Sequence, residues 1–161
     1  MPLGETEKIK ERKQAILKLL ADGCKTTAHV MRALDLTHTE AFYTLKTLAS
    51  EGHIKMTMFG RTSIWCLNDE HYENLINTLL REIQRVVEIH NLKYVYPSRL
   101  YKLILKDPRA YKLISQYVTV IGNNSQTRRF LNHLLNMLYG PPYYIGEKVV
   151  YATDSVQKPA A

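Results

Sequence analysis

The stretch that decides the fold is residues 26–67, which read TTAHVMRALDLTHTEAFYTLKTLASEGHIKMTMFGRTSIWCL. Threonines at its start are typical helix N-caps, and the apolar spacing that follows predicts a short helix ending at Leu34. Polar residues 35–38 predict a tight turn, and a second helix is expected from 39 to about 50. Two short helices joined by a turn of three or four residues form a helix-turn-helix motif.

One helix precedes this motif and a β-hairpin follows it. Apolar residues at helical spacing predict the preceding helix, which stops at Gly23. Gly52 ends the second helix of the motif, and residues 53–58 and 63–67 have the composition of two short strands. The turn between these strands is expected at 59–61.

Residues 33–37 (ALDLT) and 45–54 (LKTLASEGHI) resemble the winged-helix transcriptional regulators of bacteria and archaea. The resemblance covers residues 6–68, and the order of its helices, turn, Glu-Gly-hydrophobic segment and hairpin is fairly specific. It implies that the second helix of the motif lies in the DNA major groove. It also implies that the hairpin, the wing, contacts the DNA backbone or the minor groove.

The outward face of this second helix holds the DNA contacts expected for the motif. Its inward stripe consists of Ala41, Phe42, Leu45, Leu48 and Ala49. The residues predicted to contact DNA are Thr39, Tyr43, Thr44, Lys46 and Thr47, together with Arg61 at the tip of the wing. The same face has little Lys or Arg, and Glu40 would oppose phosphates. A module that binds only protein is therefore an alternative for this motif.

Residues 69–91 predict a long helix that begins with acids and contains no Gly or Pro. Its apolar residues follow alternating steps of four and three, which makes a short heptad stripe. The resemblance to dimeric winged-helix regulators implies a homodimer through this helix. The predicted interface residues are Tyr72, Ile76, Leu79, Ile83 and Val86. Packing of the stripe within one chain is the alternative, because the stripe lasts fewer than three heptads.

The order of helices and hairpin recurs in the last third of the chain. Helices are predicted from Pro97, from Pro108 and over 126–139, and a hairpin follows within 143–151, although 118–121 could form a strand. The predicted fold is mainly α with small β-hairpins (α+β), with two winged helix-turn-helix copies joined by a long helix. The predicted divisions are 5–68, 69–92 and 96–152, with a disordered tail at 153–161.

The last predicted helix is the stronger candidate for reading DNA bases. Its outward side chains, none of them acidic, are Gln126, Arg128, Arg129, Asn132, His133 and Asn136. Arg can bond guanine, and Asn or Gln can bond adenine, through paired hydrogen bonds. Phosphate contacts are expected from Lys148 in the hairpin turn and from the cations of the preceding helices. Those cations are Lys102, Lys106, Arg109 and Lys112.

The distribution of charge favours the same region. The net charge is +7, and residues 97–161 carry 9 Lys and Arg against 3 Asp and Glu, whereas residues 1–70 carry 10 against 9. Such a basic segment is typical of a polyanion-binding surface. Double-stranded DNA is the predicted partner, for a transcription regulator or a replication or chromosome factor. The tandem arrangement is loosely similar to the crenarchaeal winged-helix initiator proteins.

Two other functions stay open at this point. The near-neutral first motif suits a protein-interaction adaptor in a transcription or replication assembly. Single-stranded nucleic-acid binding is the other, in which tyrosines would stack on bases. The tyrosines concerned are Tyr94, Tyr96, Tyr101, Tyr143 and Tyr144.

Catalysis, metal binding and cofactor binding are not expected. The sequence has no phosphate-binding glycine loop, no HExxH and no GxSxG motif, and its histidines are scattered. Cys24 and Cys66 stand alone, so neither a zinc site nor a disulfide is expected, and Cys66 is interpreted as a buried thiol. The chain has no apolar run long enough for a membrane span and no signal region, so a cytoplasmic, nucleoid-associated protein is expected.

Overall fold

A computed structural model describes residues 6–118 and 125–153 of the chain. The predicted tail beyond Thr153 and most of the possible strand at 118–121 lie outside the described residues. The chain divides into two compact units. Unit 1 is Met1–Met58 with Ser63–Leu75, and unit 2 is Phe59–Thr62 with Ile76–Ala161.

Unit 1 holds the predicted helix-turn-helix motif and most of its hairpin. Its elements are α1 (Glu7–Leu20), β1 (Lys25–Thr26), α2 (Thr27–Leu34), α3 (His38–Ser50), β2 (Lys55–Phe59) and β3 (Thr62–Cys66). The three strands form one sheet in the order β1-β3-β2. The short strand β1 was not predicted from the sequence, because two residues carry no periodicity that could reveal it.

Threonine caps set the helix starts of unit 1. The Thr26 hydroxyl accepts from the His29 amide, and Thr37 forms a reciprocal capping box with Glu40 at the start of α3. Between α2 and α3, Asp35 takes a left-handed conformation with φ of 53°, which lets the chain reverse in a short turn. The helices pack on a core that includes Ile16, Leu20, Val30, Leu45, Leu48 and Trp65.

The two cysteines form a disulfide, so the expectation that they are unpaired was wrong. Cys24 and Cys66 are 42 residues apart in the sequence, which gave no signal of pairing. Strand β1 pairs antiparallel with β3, and its register sets Lys25 opposite Trp65. That pairing brings the residue before Lys25 beside the residue after Trp65. The predicted burial of Cys66 is confirmed.

Unit 2 repeats the element order of unit 1 with one extra helix. Its elements are α4 (Asp69–Ile89, in this unit from Ile76), β4 (Tyr94–Val95), α5 (Pro97–Lys106), α6 (Pro108–Ile114), α7 (Ser125–Tyr139), β5 (Tyr143–Ile145) and β6 (Lys148–Ala152). The sheet order is β4-β6-β5, which matches the order in unit 1. In both units a helix and a short strand come first, further helices follow, and a hairpin ends the unit.

The predicted fold class is confirmed by this arrangement. The described residues are mainly helical and carry two small antiparallel sheets, and the fold is winged-helix-like. The repeat in unit 2 begins with α4, so this helix takes the place that α1 has in unit 1. The sequence interpretation had treated that helix as a connection between two motifs, because the two-residue strand β4 that follows it has no sequence signature.

The apolar stripe predicted to form a dimer is buried inside the single chain. Ile76, Leu79, Ile83 and Val86 are at most 6% exposed, and Tyr72 is half-buried. The four aliphatic side chains already pack within the protomer, so they offer no surface to a second copy. The structure agrees with the alternative interpretation, in which the stripe packs within one chain. A heptad pattern of this length does not show whether its partner lies in the same chain or in a second copy.

Candidate nucleic-acid interface

The outer face of α3 keeps only part of the predicted DNA-contacting set. Thr39, Tyr43 and Lys46 are exposed, and Tyr43 is 62% exposed. Thr47 is half-buried and donates a hydrogen bond to the Tyr43 carbonyl at 2.9 Å. Arg61, from the turn between β2 and β3, is exposed.

Thr44 is a core residue and not a DNA contact. It is 1% exposed, and its hydroxyl donates to the Glu40 carbonyl at 2.8 Å. Positions 41, 44, 45 and 48 form one helical stripe, and all four are buried. The outward assignment was wrong because the hydroxyl satisfies its hydrogen bond within the helix, which lets Thr44 lie on the apolar side.

Acidic side chains of α3 and of its C-cap residue pair with two cations of α1. The Arg12 guanidinium pairs with Glu40 at 3.0 Å, and the largely buried Lys13 ammonium binds both carboxylate oxygens of Glu51 at 2.9 and 3.1 Å. Hydrogen bonds from Thr37 lower the pKa of Glu40 below its ordinary value, and the charge of Arg12 acts in the same direction. The face of α3 is therefore polar but has little unpaired positive charge.

Helix α7 in unit 2 has a core face of apolar residues. Its buried side chains are Thr127, Phe130, Leu131, Leu134, Leu135 and Tyr139. The predicted polar residues form one further face of the helix. A stripe of Gln126 and His133 lies at one edge of this face, a stripe of Arg128 and Asn132 lies at the other, and Arg129 and Asn136 lie between them.

The turn Phe59–Thr62 packs on the first of these stripes. The Phe59 ring stacks on His133 with centroids 4.9 Å apart, and the Gln126 amide donates to the Thr62 hydroxyl at 3.1 Å. Burial lowers the pKa of His133 below its ordinary value. Contrary to the prediction, His133 is a packing residue in this structure, and Gln126 already has a hydrogen-bond partner.

A groove of about 550 Å³ borders the α7 N-terminal turns and is lined from three elements. Arg99 comes from the first turn of α5, Arg128, Arg129 and Asn132 come from α7, and Lys148 begins β6. The structure thus brings together four of the residues predicted separately from the sequence. Asn136 is exposed farther along α7 and is not part of the lining.

The cations of this groove carry unpaired charge. Within the part of the chain that the structure describes, no carboxylate pairs with Arg99, Arg128, Arg129 or Lys148, and all four are exposed. The acid among the described lining residues is Glu147, in the β5–β6 turn. Four cations against one carboxylate make this groove, hereafter the basic groove, a favourable site for an anion.

Arg99 is the groove residue that the sequence interpretation missed. It is the third residue of α5, and nothing in its local sequence separates it from other exposed cations. Its placement depends on the pairing of β6 between β4 and β5, because β4 leads directly into α5. Asn132 is half-buried, and both its backbone carbonyl and its side-chain oxygen accept from the Tyr151 hydroxyl, at 3.3 and 3.5 Å.

Other predicted phosphate contacts lie apart from the basic groove. Lys102, Lys106 and Lys112 are exposed on α5 and α6. Arg109 pairs with the buried Glu82 at 3.2 Å, and Glu82 also binds Arg85, which reaches Asp107 at 2.8 Å. Arg109 thus has an acidic partner within the chain.

Two other kinds of feature are absent from residues 6–118 and 125–153. No group of His, Cys, Asp and Glu side chains in these ranges has an arrangement suited to a metal ion. No helix in the same ranges has the length and apolar character needed to cross a membrane.

Comparison with known proteins identifies the family. The model of the family described as PSV, transcriptional regulator domain, matches residues 72–152, which include the whole basic groove. The crystal structure of a hypothetical protein from Pyrobaculum spherical virus is similar to the chain, with 37% sequence identity and a TM-score of 0.84. The match covers 95% of this chain and 100% of that one. No curated protein matches. The chain belongs to the PSV transcriptional regulator domain family.

Proposed function

We propose that the protein is a transcriptional regulator that binds double-stranded DNA through unit 2, whose fold is winged-helix-like. The observation that carries the proposal is the basic groove, in which Arg99, Arg128, Arg129 and Lys148 have no acidic partner among the described residues. When unpaired cations neutralise DNA phosphates, the counterions condensed on the DNA are released. This release supplies a large share of the affinity of proteins for DNA. The family description supports a regulatory role for the same residues.

Binding to duplex DNA, single-stranded DNA and RNA across a salt series tests this proposal. Fluorescence anisotropy with labelled oligonucleotides gives both the affinity and its dependence on salt. We expect the duplex to bind most tightly, with an affinity that falls steeply as salt rises. A clear preference for a single strand would overturn the duplex assignment. No binding of any of the three at low salt would overturn nucleic-acid binding altogether.

Unit 1 has a separate candidate role as a protein-docking module. The observation in favour is the pairing of Arg12 with Glu40 and of Lys13 with Glu51, which leaves α3 with an exposed aromatic ring and few free cations. Such a surface suits a protein partner better than a polyanion. Replacing Tyr43 by Ala in the full chain is expected to leave DNA affinity unchanged and to weaken regulation in a reconstituted transcription assay. A loss of DNA affinity instead would assign Tyr43 to the DNA interface.

We propose binding, and not catalysis, as the activity of the chain. The sequence carries no phosphate-binding glycine loop, no HExxH and no GxSxG motif, and the polar residues of the basic groove suit electrostatic contact with an anion. A transcriptional role is preferred to a replication or chromosome role because of the family description. Genome-wide mapping of bound sites distinguishes these roles, since promoter-proximal sites support transcription and a single origin-proximal cluster would contradict it.

A further inference from the structure

The polar face of α7 is enclosed on two sides. The turn Phe59–Thr62 covers the stripe that contains Gln126 and His133. On the other side, the first turn of α5 and the start of β6 line the basic groove together with Arg128 and Asn132. Helix α7 is therefore one wall of a concave site.

A helix that reads bases has to enter the DNA major groove. That groove is about 12 Å wide and about 8.5 Å deep, and an α-helix with its side chains is about 10–12 Å across. The elements on both flanks of α7 therefore limit how far this helix can enter such a space. A concave site of this kind instead accepts a convex ligand, and on duplex DNA the ridge of sugar and phosphate between the grooves is convex.

We propose that the basic groove holds the sugar-phosphate backbone of one DNA strand, so that Arg99, Arg128, Arg129 and Lys148 contact phosphates and not base edges. The inference rests on the proposed duplex binding and specifies which part of the DNA this site recognises. It differs from the sequence prediction, in which Arg128 and Asn132 read bases from a recognition helix.

The engagement of Asn132 agrees with a backbone site. The side-chain oxygen of Asn132 accepts from the Tyr151 hydroxyl at 3.5 Å, and the backbone carbonyl of Asn132 accepts from the same hydroxyl at 3.3 Å. An Asn that reads adenine needs its whole amide free for two hydrogen bonds with the base. The cations come from three elements around the groove, which suits successive phosphates along a strand better than a single base.

Single substitutions measured on three duplexes of unrelated sequence test the proposal. We expect Arg99→Ala and Arg128→Ala each to lower affinity about fivefold on all three duplexes. Each should also make the negative slope of log K against log salt shallower by about 0.9. Glu147→Gln removes the groove's carboxylate and is expected to raise affinity about threefold on all three. Arg81→Ala, which removes an exposed cation of α4 outside the groove, is the matched control and should change affinity by less than twofold.

Neutral methylphosphonate linkages in the duplex give a second readout. A neutral linkage at a phosphate that the groove contacts should weaken binding of the unmodified chain. The Arg99→Ala variant should bind equally well with and without the neutral linkage at one or more of these phosphates. Losses that differ more than tenfold between the three sequences, or an unchanged salt slope in both Arg variants, would overturn the backbone assignment and leave duplex binding intact. Failure of the unmodified chain to bind any duplex would overturn the proposed function itself.

Discussion

Gly60 lies directly against the backbone of Arg129: a Cβ atom at residue 60 would be 2.7 Å from the Arg129 carbonyl carbon. The φ angle of Gly60 is +63°, a conformation that costs little only for glycine. This close approach lets the turn Phe59–Thr62 pack on α7 and fixes the helix segment that carries Arg128 and Arg129 into the basic groove.

Replacing Gly60 by Ala is expected to destabilise the protein by about 2–4 kcal/mol, from backbone strain and from the clash with Arg129. Gly146→Ala is the matched control, because Gly146 has the same φ of +63° but no atom within 4 Å of the added Cβ. That variant should lose only about 1 kcal/mol. Urea unfolding measures both, and equal losses would contradict the packing of the turn on α7.

Reduction of the Cys24–Cys66 disulfide is expected to lower the free energy of unfolding by about 4 kcal/mol, since the bond closes a loop of 42 residues in the unfolded chain. The measurement is urea unfolding with and without a phosphine reductant. The double variant Cys24→Ala with Cys66→Ala is the control and should not respond to the reductant. Titration of two free thiols in the oxidised native protein would contradict the disulfide.

The stability of the protein should fall as the pH drops below about 6.5, in part through His133. Burial lowers the folded-state pKa of His133, so the unfolded chain binds a proton more readily between its ordinary pKa and the folded one. The free energy of unfolding therefore decreases as the pH falls through that window. His29 acts in the same direction, because burial lowers its pKa and the charges of Lys25 and Arg32 add to this.

His133→Phe keeps a ring against Phe59 but cannot be protonated. The difference in unfolding free energy between this variant and the unmodified chain, followed from pH 8 to pH 5, isolates the contribution of His133. We expect the variant to gain relative stability as the pH falls. A difference that stays constant with pH would show that the ring is not desolvated in solution.

Asp107, between α5 and α6, caps α6 and links it to α4. Its carboxylate caps α6 by accepting from the Ala110 amide at 3.0 Å, and it pairs with Arg85 at 2.8 Å. Hydrogen bonds from Arg85 and the Ala110 amide lower the pKa of Asp107. Asp107→Ala removes both roles and should destabilise the protein by about 2 kcal/mol. Asp107→Asn keeps a capping oxygen and should lose about half as much in thermal or urea unfolding; equal losses would mean that the cap contributes nothing.

The sequence predicted the larger helices and both hairpins because their signals are local. The capping box at Thr37 and Glu40, the Pro at the start of α5 and α6, and the apolar stripes of α3 and α7 each act within a few residues. The fold class and the basic character of the last third of the chain follow from such signals and from simple counting.

What the sequence did not predict depends on contacts between distant residues. The Cys24–Cys66 bond requires the pairing of β1 with β3, and the placement of Arg99 in the basic groove requires the pairing of β4 with β6. Stacking of His133 on Phe59 requires residues 74 positions apart to meet. Thr44 is an exception, because its misplacement has a local cause. Its position in α3 has the spacing of a core residue, but its polar side chain suggested the surface, and the hydroxyl bonds within its own helix.

The salt dependence of duplex binding tests the central claim most directly, in the unmodified chain and in a variant with Arg99, Arg128, Arg129 and Lys148 all changed to Ala. If the basic groove binds DNA phosphates, the negative slope of log K against log salt should become shallower by about 3–4 units in the variant. Circular dichroism has to show that the variant is folded. An unchanged slope in a folded variant would show that DNA, if bound at all, is held elsewhere on the protein.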